Sequence, residues 1–325
     1  MTAATAPRPA ESPAADPSGS AGVKPGAFIV GAPKCGTTAL AKYLAEHPQF
    51  FMAAPKEPFY WDSDHPGGRR VHGLHALEDY LALFEGADPA RHKAVGEGST
   101  TYLQSRTAVA DIAAFNPEAR FIAMFRNPVD VAHGMHGQLS RHHLEDVEDF
   151  EEAWRLQEAR AEGRRLPADP SFAHQLQYRD VATFAPQIRR LFEHVPEDRR
   201  LVIIFDDFKA DAGREYRRAL DFLGLDDDGR DDFPKVNAAR TYRSKWLGKL
   251  YRSDNELMRR VRSWAMKSEG PVKRLVKAAA VRKAPRKPIR PEFRRELEDV
   301  FRPDLEETSE LLGRDLTHWV KGGER

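Results

Sequence analysis

The stretch that decides the fold is AFIVGAPKCGTTALAKYLAEH, residues Ala27–His47. Its apolar start, Ala27–Gly31, is typical of a buried strand, and its second half repeats apolar residues at helical spacing. Between the two lies a turn that contains Gly31 and Gly36. Such a turn binds anions, because the backbone N–H groups of the loop converge and the helix dipole adds positive charge. We therefore predict a phosphate-binding loop over Gly31–Thr38.

The position of one lysine indicates which phosphate compound the loop binds. In the Walker A loop of nucleotide kinases, G-x-x-x-x-G-K-[ST], the lysine follows the second glycine. Gly31 and Gly36 fit that spacing, but Thr37 stands at the lysine position and the lysine is Lys34 instead. A kinase without that lysine lacks its main contact with the transferred phosphoryl group. The alternative is an ordinary strand–helix turn with a solvated lysine.

The loop PKCGTTAL, which starts at Pro33, resembles the 5′-phosphosulfate loop of the sulfotransferases that use 3′-phosphoadenylyl sulfate (PAPS), commonly written P-K-[SG]-G-T-T. The resemblance implies that Lys34 lies beside the bridging oxygen that leaves. It also implies that the 5′-phosphosulfate group is held by Lys34, Cys35, Gly36, Thr37 and Thr38.

A second loop, FRNP at Phe125–Pro128, resembles the 3′-phosphate motif of the same family. There Arg126 would grip the 3′-phosphate that distinguishes PAPS from ATP, and a guanidinium fork suits a phosphate dianion. The family has a serine eight residues later, where this chain has Gly134, so Ser140 or a backbone N–H is expected to substitute. Tyr178 occupies a place where the family often has an aromatic residue against adenine, with core packing as the alternative.

The segment Ala54–Trp61 (APKEPFYW) resembles the pattern of the family branch that uses a glutamate base, the heparan-sulfate-like and many bacterial members. Glu57 is therefore our candidate base, and the alternative is a solvated Lys56–Glu57 pair. The reaction implied is in-line transfer of a sulfuryl group from PAPS to a hydroxyl of a small-molecule, lipid or carbohydrate acceptor. It releases adenosine 3′,5′-bisphosphate and needs no metal.

Another strand end, GEGSTTY at Gly96–Tyr102, aligns with the Glu-Lys-Ser/Thr-Pro-x-Tyr pattern of the heparan-sulfate type. The lysine of that pattern is Gly98 here, so a cation near the acceptor is missing. Glu97 is expected to contact the acceptor or orient Lys34, and a strand-end surface charge is the equal alternative.

Two other functions stay open. The strand LVIIFDD, which ends in Asp206 and Asp207, has the form of a Walker B magnesium site and is the best support for an ATP-dependent small-molecule kinase. The departures at Gly98 and Gly134 leave open a nucleotide-binding relative without catalysis. A histidine cluster is interpreted as solvated side chains, since no HExxH motif or cysteine partner accompanies it: His133, His136, His142 and His143.

Apolar runs alternate with helical patterns, which predicts an α/β, P-loop-type fold: a central parallel sheet of about five strands with helices on both faces. A helical, basic C-terminal part follows. The predicted strands are 27–31, 49–53, 93–97, 120–125 and 200–205, and the predicted helices are 37–46, 76–85, 105–114, 128–141, 172–193, 209–223 and 291–312.

The ends of the chain differ from its middle. The Ala-, Pro- and Ser-rich residues 1–25 are predicted to be a disordered tail, and 26–322 a single domain. Segment 243–290 is predicted as a basic helical lid. From 259 to 295 there are fourteen Lys or Arg against two acids, so contact with an anionic membrane or a solvated face are the alternatives.

Composition bounds the remaining questions. The net charge is only +1, so the chain as a whole has no positive field for binding nucleic acid. Of its 325 residues, 41% are hydrophobic. Cys35 is the one cysteine, so no internal disulfide forms. Without a signal peptide or a long apolar run, a cytoplasmic location is expected. The sequence leaves the acceptor and the oligomeric state open.

Overall fold

The computed structural model describes residues 23–65, 67, 72–234, 241–242, 281–282 and 287–320. Its centre is a five-stranded sheet in the order β2-β3-β1-β4-β5, with every neighbouring pair parallel. The strands are β1 (Ala27–Gly31), β2 (Phe50–Met52), β3 (Ala94–Gly98), β4 (Arg120–Phe125) and β5 (Arg200–Ile204).

Strands β1 and β4 are apolar apart from Arg120, because helices cover both faces of the sheet. All five residues of β1 are buried, as are Phe121–Phe125 of β4. The α-helices are α1 (Thr37–Ala45), α2 (Leu77–Leu81), α3 (Ala108–Phe115), α4 (Pro128–Arg141), α5 (Phe150–Arg155), α6 (Gln157–Ala161), α7 (Tyr178–Ala182), α8 (Ala185–His194), α9 (Phe205–Ala210), α10 (Ala212–Leu223) and α11 (Pro291–Leu312). Short 3₁₀ turns lie at Ala82–Phe84, Ala173–Leu176, Glu197–Arg199 and Thr317–Val320.

The strand order places the site. The chain builds one side of β1 with β2 and β3, and then the other side with β4 and β5. At such a switch point the loops beyond the carboxyl ends of the central strands leave a crevice, where ligands of parallel α/β proteins bind. The loops after β1, β2, β3 and β4 therefore converge, and these loops carry the residues singled out in the sequence.

The fold class is confirmed, and the strand positions match the sequence prediction to within a residue or two. The helix predicted over 172–193 is interrupted: a 3₁₀ turn and α7 precede α8. The carboxylate of Asp304 on α11 accepts hydrogen bonds from the backbone N–H groups of Phe184 (2.8 Å) and Ala185 (2.9 Å). This carboxylate satisfies the free amides at the start of α8, so the interruption is stabilised from a distant part of the chain.

The packed region begins slightly before the predicted boundary at 26. Pro25 is buried, its carbonyl accepts a 2.9 Å hydrogen bond from Asn116, and Val23 packs against the core. The rest of the predicted tail, residues 1–22, lies outside the described residues.

Most of the basic C-terminal segment also lies outside them. Thr241–Tyr242 (β6) and Val281–Arg282 (β7) form an antiparallel pair. The predictions of a lid and of membrane contact concern mainly residues that the structure leaves out, so both stay predictions. Within the described ranges, no helix has the length and apolar character needed to cross a bilayer.

Candidate active site

The phosphate loop connects β1 to α1 as the sequence predicts. Gly36, the residue before α1, has a left-handed backbone (φ 97°) and, as a glycine, has no side chain with which to cap the amides that begin the helix. A Cβ at Gly31 would lie 2.9 Å from the carbonyl oxygen of Thr100, and one at Gly36 would lie 3.1 Å from the Phe205 ring. A side chain at either glycine would therefore crowd neighbouring residues. With glycine at both positions, the backbone amides of the loop can bind an anion.

Lys34 lies within this loop with a left-handed backbone (φ 66°). Its ammonium group donates a 3.0 Å hydrogen bond to the side-chain oxygen of Gln138 on α4. The carbonyl of Lys34 also accepts a bond from the Arg126 guanidinium at 3.4 Å. The loops after β1 and β4, which carry the two predicted anion-binding residues, are thus joined through the guanidinium of one and the backbone carbonyl of the other. Gln138 was not singled out in the sequence, since its role depends on which helix packs beside the loop.

Arg126 is the first residue after β4. The Asn127 side chain accepts from the backbone N–H of Val129 at 3.0 Å, which caps α4 and fixes the turn. The guanidinium lies 4.6 Å from the centroid of the Phe205 ring and bonds Asp130 at 3.0 Å. It is about one-third exposed. This arrangement fixes the guanidinium at the mouth of the crevice, where an anion can approach it.

Asp130 links Arg126 to the C-terminal helix. Its second oxygen accepts a 3.0 Å hydrogen bond from Arg294 on α11. Burial works against the charged carboxylate, but the hydrogen bond from Arg294 and the neighbouring Arg126 hold its pKa below the usual range. Neither Asp130 nor Arg294 was a candidate in the sequence, where an i,i+4 Arg–Asp pair is common on any helix.

The other predicted donor-binding residues have more varied surroundings. Cys35 is fully buried and its thiol contacts the Pro33 carbonyl, and burial raises its pKa, so the thiol is neutral. Gly134 is buried on α4. The hydroxyl of Ser140, the predicted substitute, donates to the His136 carbonyl of the same helix at 2.8 Å.

Tyr178 is fully buried. Its hydroxyl donates to Glu145, which forms a buried ion pair with Arg160. This is the packing role that the sequence offered as the alternative, and contact with adenine stays a prediction.

Glu57 follows β2 in a segment with a left-handed backbone (φ 64°). Its carboxylate accepts hydrogen bonds from Lys56 at 2.8 Å and from the Thr100 hydroxyl at 3.2 Å. Both Lys56 and Glu57 are about one-quarter exposed. The Lys56–Glu57 pair of the alternative interpretation therefore forms, but it is largely buried and Thr100 fixes it. Since the Thr100 carbonyl also adjoins Gly31, the base segment and the phosphate loop share one neighbour.

His72 is a further group beside Glu57 that the sequence did not identify. Burial lowers its pKa, and its hydrogen bond with the Glu57 backbone opposes that shift. Its ring stacks on Phe59, with centroids 6.1 Å apart, and Phe59 also meets Phe172 edge-on at 5.9 Å. A neutral imidazole and aromatic rings thus line the side of Glu57 away from the phosphate loop.

Glu97, at the end of β3, is 1% exposed and accepts three hydrogen bonds from hydroxyl groups. Burial raises its pKa to about 7, although its hydrogen bonds with Tyr102, Ser99 and Tyr80 favour the charged form. The surface-charge interpretation is therefore wrong, since the carboxyl is enclosed.

Asp206 and Asp207 supported the kinase interpretation. In the structure both form hydrogen bonds with the C-terminal end of the described chain. Asp206 accepts a 2.7 Å hydrogen bond from the Trp319 indole, and Asp207 pairs with Arg314, whose second contact is 2.9 Å. The hydrogen bond from Arg314 is the main reason that the pKa of Asp207 is lowered. These carboxylates anchor the chain after α11 to the start of α9, which is a structural role.

The histidines predicted as a solvated group are partly built into the core: the His136 ring bonds the Val147 carbonyl at 3.0 Å, and burial lowers its pKa. A different group in the described residues has metal-ligand chemistry, namely Asp62, His65 and His174, whose ligand atoms lie within 4.8 Å of one another. The two imidazole rings are stacked, with centroids 3.9 Å apart and planes at 15°. A metal ion lies in the plane of each imidazole that binds it, so these nearly parallel rings do not share one in this arrangement.

The chain is similar to known proteins in sequence and in structure. The model of the family described as "Sulfotransferase domain" matches residues 24–308. Carbohydrate sulfotransferase 15 of Mus musculus is 32% identical over 32% of this chain and 25% of its own length. The bifunctional heparan sulfate N-deacetylase/N-sulfotransferase 2 of Bos taurus is 25% identical over 90% of this chain and 30% of its own length. The chain thus spans less than a third of these curated relatives.

A solved structure resembles the whole fold. The crystal structure of a sulfotransferase from Alicyclobacillus acidocaldarius is 25% identical, with a TM-score of 0.67 over 91% of this chain and 99% of that one.

Proposed function

This chain belongs to the sulfotransferase domain family, and on that premise we propose that it transfers a sulfuryl group from PAPS to a hydroxyl group of an acceptor. The observation that carries the proposal is that the Arg126 guanidinium donates to the backbone carbonyl of Lys34, so that both residues lie on one crevice. Two cations on one crevice suit a ligand with phosphate groups at both its 5′ and 3′ positions. The lysine lies inside the loop, as leaving-group stabilisation requires, and the arginine lies at its rim.

The donor fits the groups that surround the crevice. The loop amides before α1 would hold the 5′-phosphosulfate, with the hydroxyls of Thr37 and Thr38 at the helix start. Arg126 would bind the 3′-phosphate through its fork, while Asp130 and the Phe205 ring keep the guanidinium in place. ADP has no 3′-phosphate and would therefore lack this contact with Arg126.

The reaction is a displacement at sulfur. The acceptor oxygen attacks as Glu57 removes its proton, a new oxygen–sulfur bond forms, and the bond from sulfur to the 5′-phosphate oxygen breaks. That oxygen keeps the electron pair, and Lys34 stabilises the charge that develops there. The products are the sulfated acceptor and adenosine 3′,5′-bisphosphate, and Glu57 is left protonated until solvent removes the proton.

A calorimetric titration tests the donor class. The protein is titrated with adenosine 3′,5′-bisphosphate and, separately, with ADP, each with and without Mg²⁺. We expect the bisphosphate to bind at least about tenfold more tightly, about 1.4 kcal/mol, without needing Mg²⁺. Equal affinity, or ADP binding that depends on Mg²⁺, contradicts the proposal and favours the kinase.

Turnover is tested with radiolabelled PAPS and a panel of hydroxylated acceptors: a phenol, a sterol and a desulfated heparan oligosaccharide, with water as the baseline. Transfer to at least one member above the water baseline supports the proposal. Tight bisphosphate binding with transfer to none supports the alternative of a binding protein without catalysis. Because similar proteins are named carbohydrate and heparan sulfate sulfotransferases, the oligosaccharide is the first acceptor to test.

A further inference from the structure

The buried carboxylate of Glu97 is surrounded by hydroxyl groups. Its Oε1 accepts from Tyr102 at 2.7 Å and from Tyr80 at 3.2 Å, and its Oε2 accepts from Ser99 at 2.7 Å. Glu97 is 1% exposed, and the three donor residues are fully buried. A carboxylate enclosed in this way is costly to bury unless all of these hydrogen bonds form together.

Two of the three hydroxyls also accept a hydrogen bond from a backbone amide, whereas the Tyr80 hydroxyl interacts with the side chain of Trp61. The Ser99 hydroxyl accepts from the backbone N–H of Phe59 at 3.1 Å, and the Tyr102 hydroxyl accepts from the backbone N–H of Trp61 at 3.3 Å. A hydroxyl has one proton to donate. Because each proton goes to Glu97, the lone pairs of both oxygens face the backbone amides. The carboxylate therefore determines that Ser99 and Tyr102 act as acceptors for the segment at 57–61.

That segment needs such support. Glu57 and Phe59 both have left-handed backbones, with φ of 64° and 56°, which costs non-glycine residues free energy unless the surroundings hold them. Three contacts from the chain at 98–102 do so: the two above, and the bond from the Glu57 N–H to the Gly98 carbonyl at 3.1 Å. All three lie on one side of the segment, beside the carboxyl of Glu57.

We propose that Glu97 is a positioning residue, which fixes the base Glu57 by orienting the Ser99 and Tyr102 hydroxyls toward the backbone of residues 57–61. The catalytic part of this statement rests on the proposed function, and the structural part does not. Glu97 does not reach the substrate in this role, since three buried side chains enclose it.

Protonation of Glu97 would disturb the arrangement. A protonated carboxyl donates a hydrogen bond, so a hydroxyl facing that oxygen has to turn its own proton elsewhere and no longer presents both lone pairs to the segment. The groups that act on Glu97 are Tyr80 from α2, Ser99 and Tyr102 from its own strand end, and the cation of Lys56 from the base segment. Burial raises the pKa of Glu97 to about 7, so its protonation state changes around neutral pH.

A matched pair of variants tests the proposal. Tyr102→Phe and Tyr80→Phe each remove one hydroxyl from Glu97 and keep the ring, but only the Tyr102 hydroxyl also accepts from a backbone amide of the segment. Amide hydrogen exchange of Phe59 and Trp61 is measured by NMR in both. We expect Tyr102→Phe to speed exchange at Trp61 by about two- to tenfold, and Tyr80→Phe to leave it unchanged.

Kinetics give the second measurement. We expect Tyr102→Phe and Glu97→Gln to lower kcat by about 10- to 100-fold, with KM for PAPS and affinity for the bisphosphate nearly unchanged. The pH profile of kcat should lose an ionisation near 7 in Glu97→Gln. Tyr80→Phe should keep kcat within about threefold of wild type.

These measurements distinguish the positioning role of Glu97 from the proposed sulfuryl transfer. Equal exchange rates at Trp61 in the two tyrosine variants overturn the positioning role, whatever the activity. The positioning role is also overturned if kcat drops equally in both variants and in parallel with their thermal stability. Such a drop would reflect only a general loss of structure. Wild-type protein with no sulfuryl transfer but with the expected exchange difference contradicts the proposed function and leaves the hydroxyl orientation standing.

Discussion

The phosphate loop and the base segment both follow strands of one sheet, but they are built differently. The phosphate loop runs over six residues from Gly31 straight into α1, and its conformation comes from its own glycines and the helix start. The base segment, from Ala54 to Trp61, enters no helix of its own among the described residues. The strand end about forty residues later holds it, through the Gly98 carbonyl and two hydroxyls.

This difference determines which substitutions disturb the geometry of each region. A local loop keeps its shape when a distant side chain changes, because its amides and helix dipole are part of the same continuous chain. The base segment loses its geometry when a partner elsewhere is removed, because left-handed residues depend on their surroundings. Changes to reacting groups should therefore have large effects in both regions, whereas changes to supporting groups should matter mainly in the base segment.

Glu57→Gln gives the largest expected effect and defines the base segment as catalytic. The change keeps size and hydrogen bonding but removes the base, so kcat should fall by about 10²–10⁴-fold while the bisphosphate binds normally. Steady-state kinetics with titration calorimetry measure both. Glu78→Gln, on an exposed side chain of α2, is the matched control. Full activity in Glu57→Gln across the pH range means that another group takes the proton, and His133 is then the next candidate.

Lys34→Ala tests the reacting group of the phosphate loop. Loss of a cation that acts mainly in the transition state should lower kcat by about 10²–10³-fold and affect bisphosphate binding much less. Lys42→Ala removes an exposed lysine, paired with Glu46 on α1, and should change neither. A Lys34→Ala turnover within about threefold of wild type excludes leaving-group stabilisation by this lysine.

Arg126→Ala asks whether the second loop reads the 3′-phosphate. A charge-assisted bidentate contact contributes about 1.5–3 kcal/mol, so bisphosphate affinity should fall by roughly 10- to 100-fold. ADP has no 3′-phosphate, and its affinity should hardly change. Calorimetry with both ligands checks this. If both affinities drop equally, Arg126 supports the loop through its contact with the Lys34 carbonyl and does not select the donor.

Glu97→Gln tests a supporting group of the base segment through the pH dependence of stability. The pKa of Glu97 is raised from 4.5 to about 7, so between these values the folded protein holds a proton that the unfolded chain has lost. The contribution of Glu97 to the free energy of unfolding is therefore full below pH 4.5 and decreases as pH rises toward 7, by up to about 1.4 kcal/mol per pH unit.

The measurement is the difference between wild type and Glu97→Gln in urea denaturation at several pH values. Other titrating groups are present in both proteins and cancel; His174, for example, has its pKa lowered to about 3 by burial. The stability of wild type relative to the variant should fall from pH 5 to 7 and then level off. A difference that stays constant shows that Glu97 is already charged at pH 5.

Several features were predictable because they are local. The helix predicted over 128–141 has those limits, since proline begins it and asparagine caps it. The strand 120–125 was equally clear from its apolar run. By contrast, α5 and α6 lie between residues 141 and 172, where no helix was predicted. The break before α8 could not be foreseen either, because the carboxylate that stabilises it comes from Asp304.

The same contrast holds at the site. Contiguous residues alone determined the strand–loop–helix at Gly31–Thr38, the arginine turn at Arg126 and the family, since glycine spacing, lysine position and helix start are all neighbours in sequence. Only the tertiary structure decided that Gln138 bonds Lys34, that Asp206 and Asp207 anchor the chain end, and that Glu97 is enclosed beneath the base segment. The physical reason is that a hydrogen bond or a buried charge depends on which groups the fold brings within about 3 Å, and separation along the chain does not encode that distance.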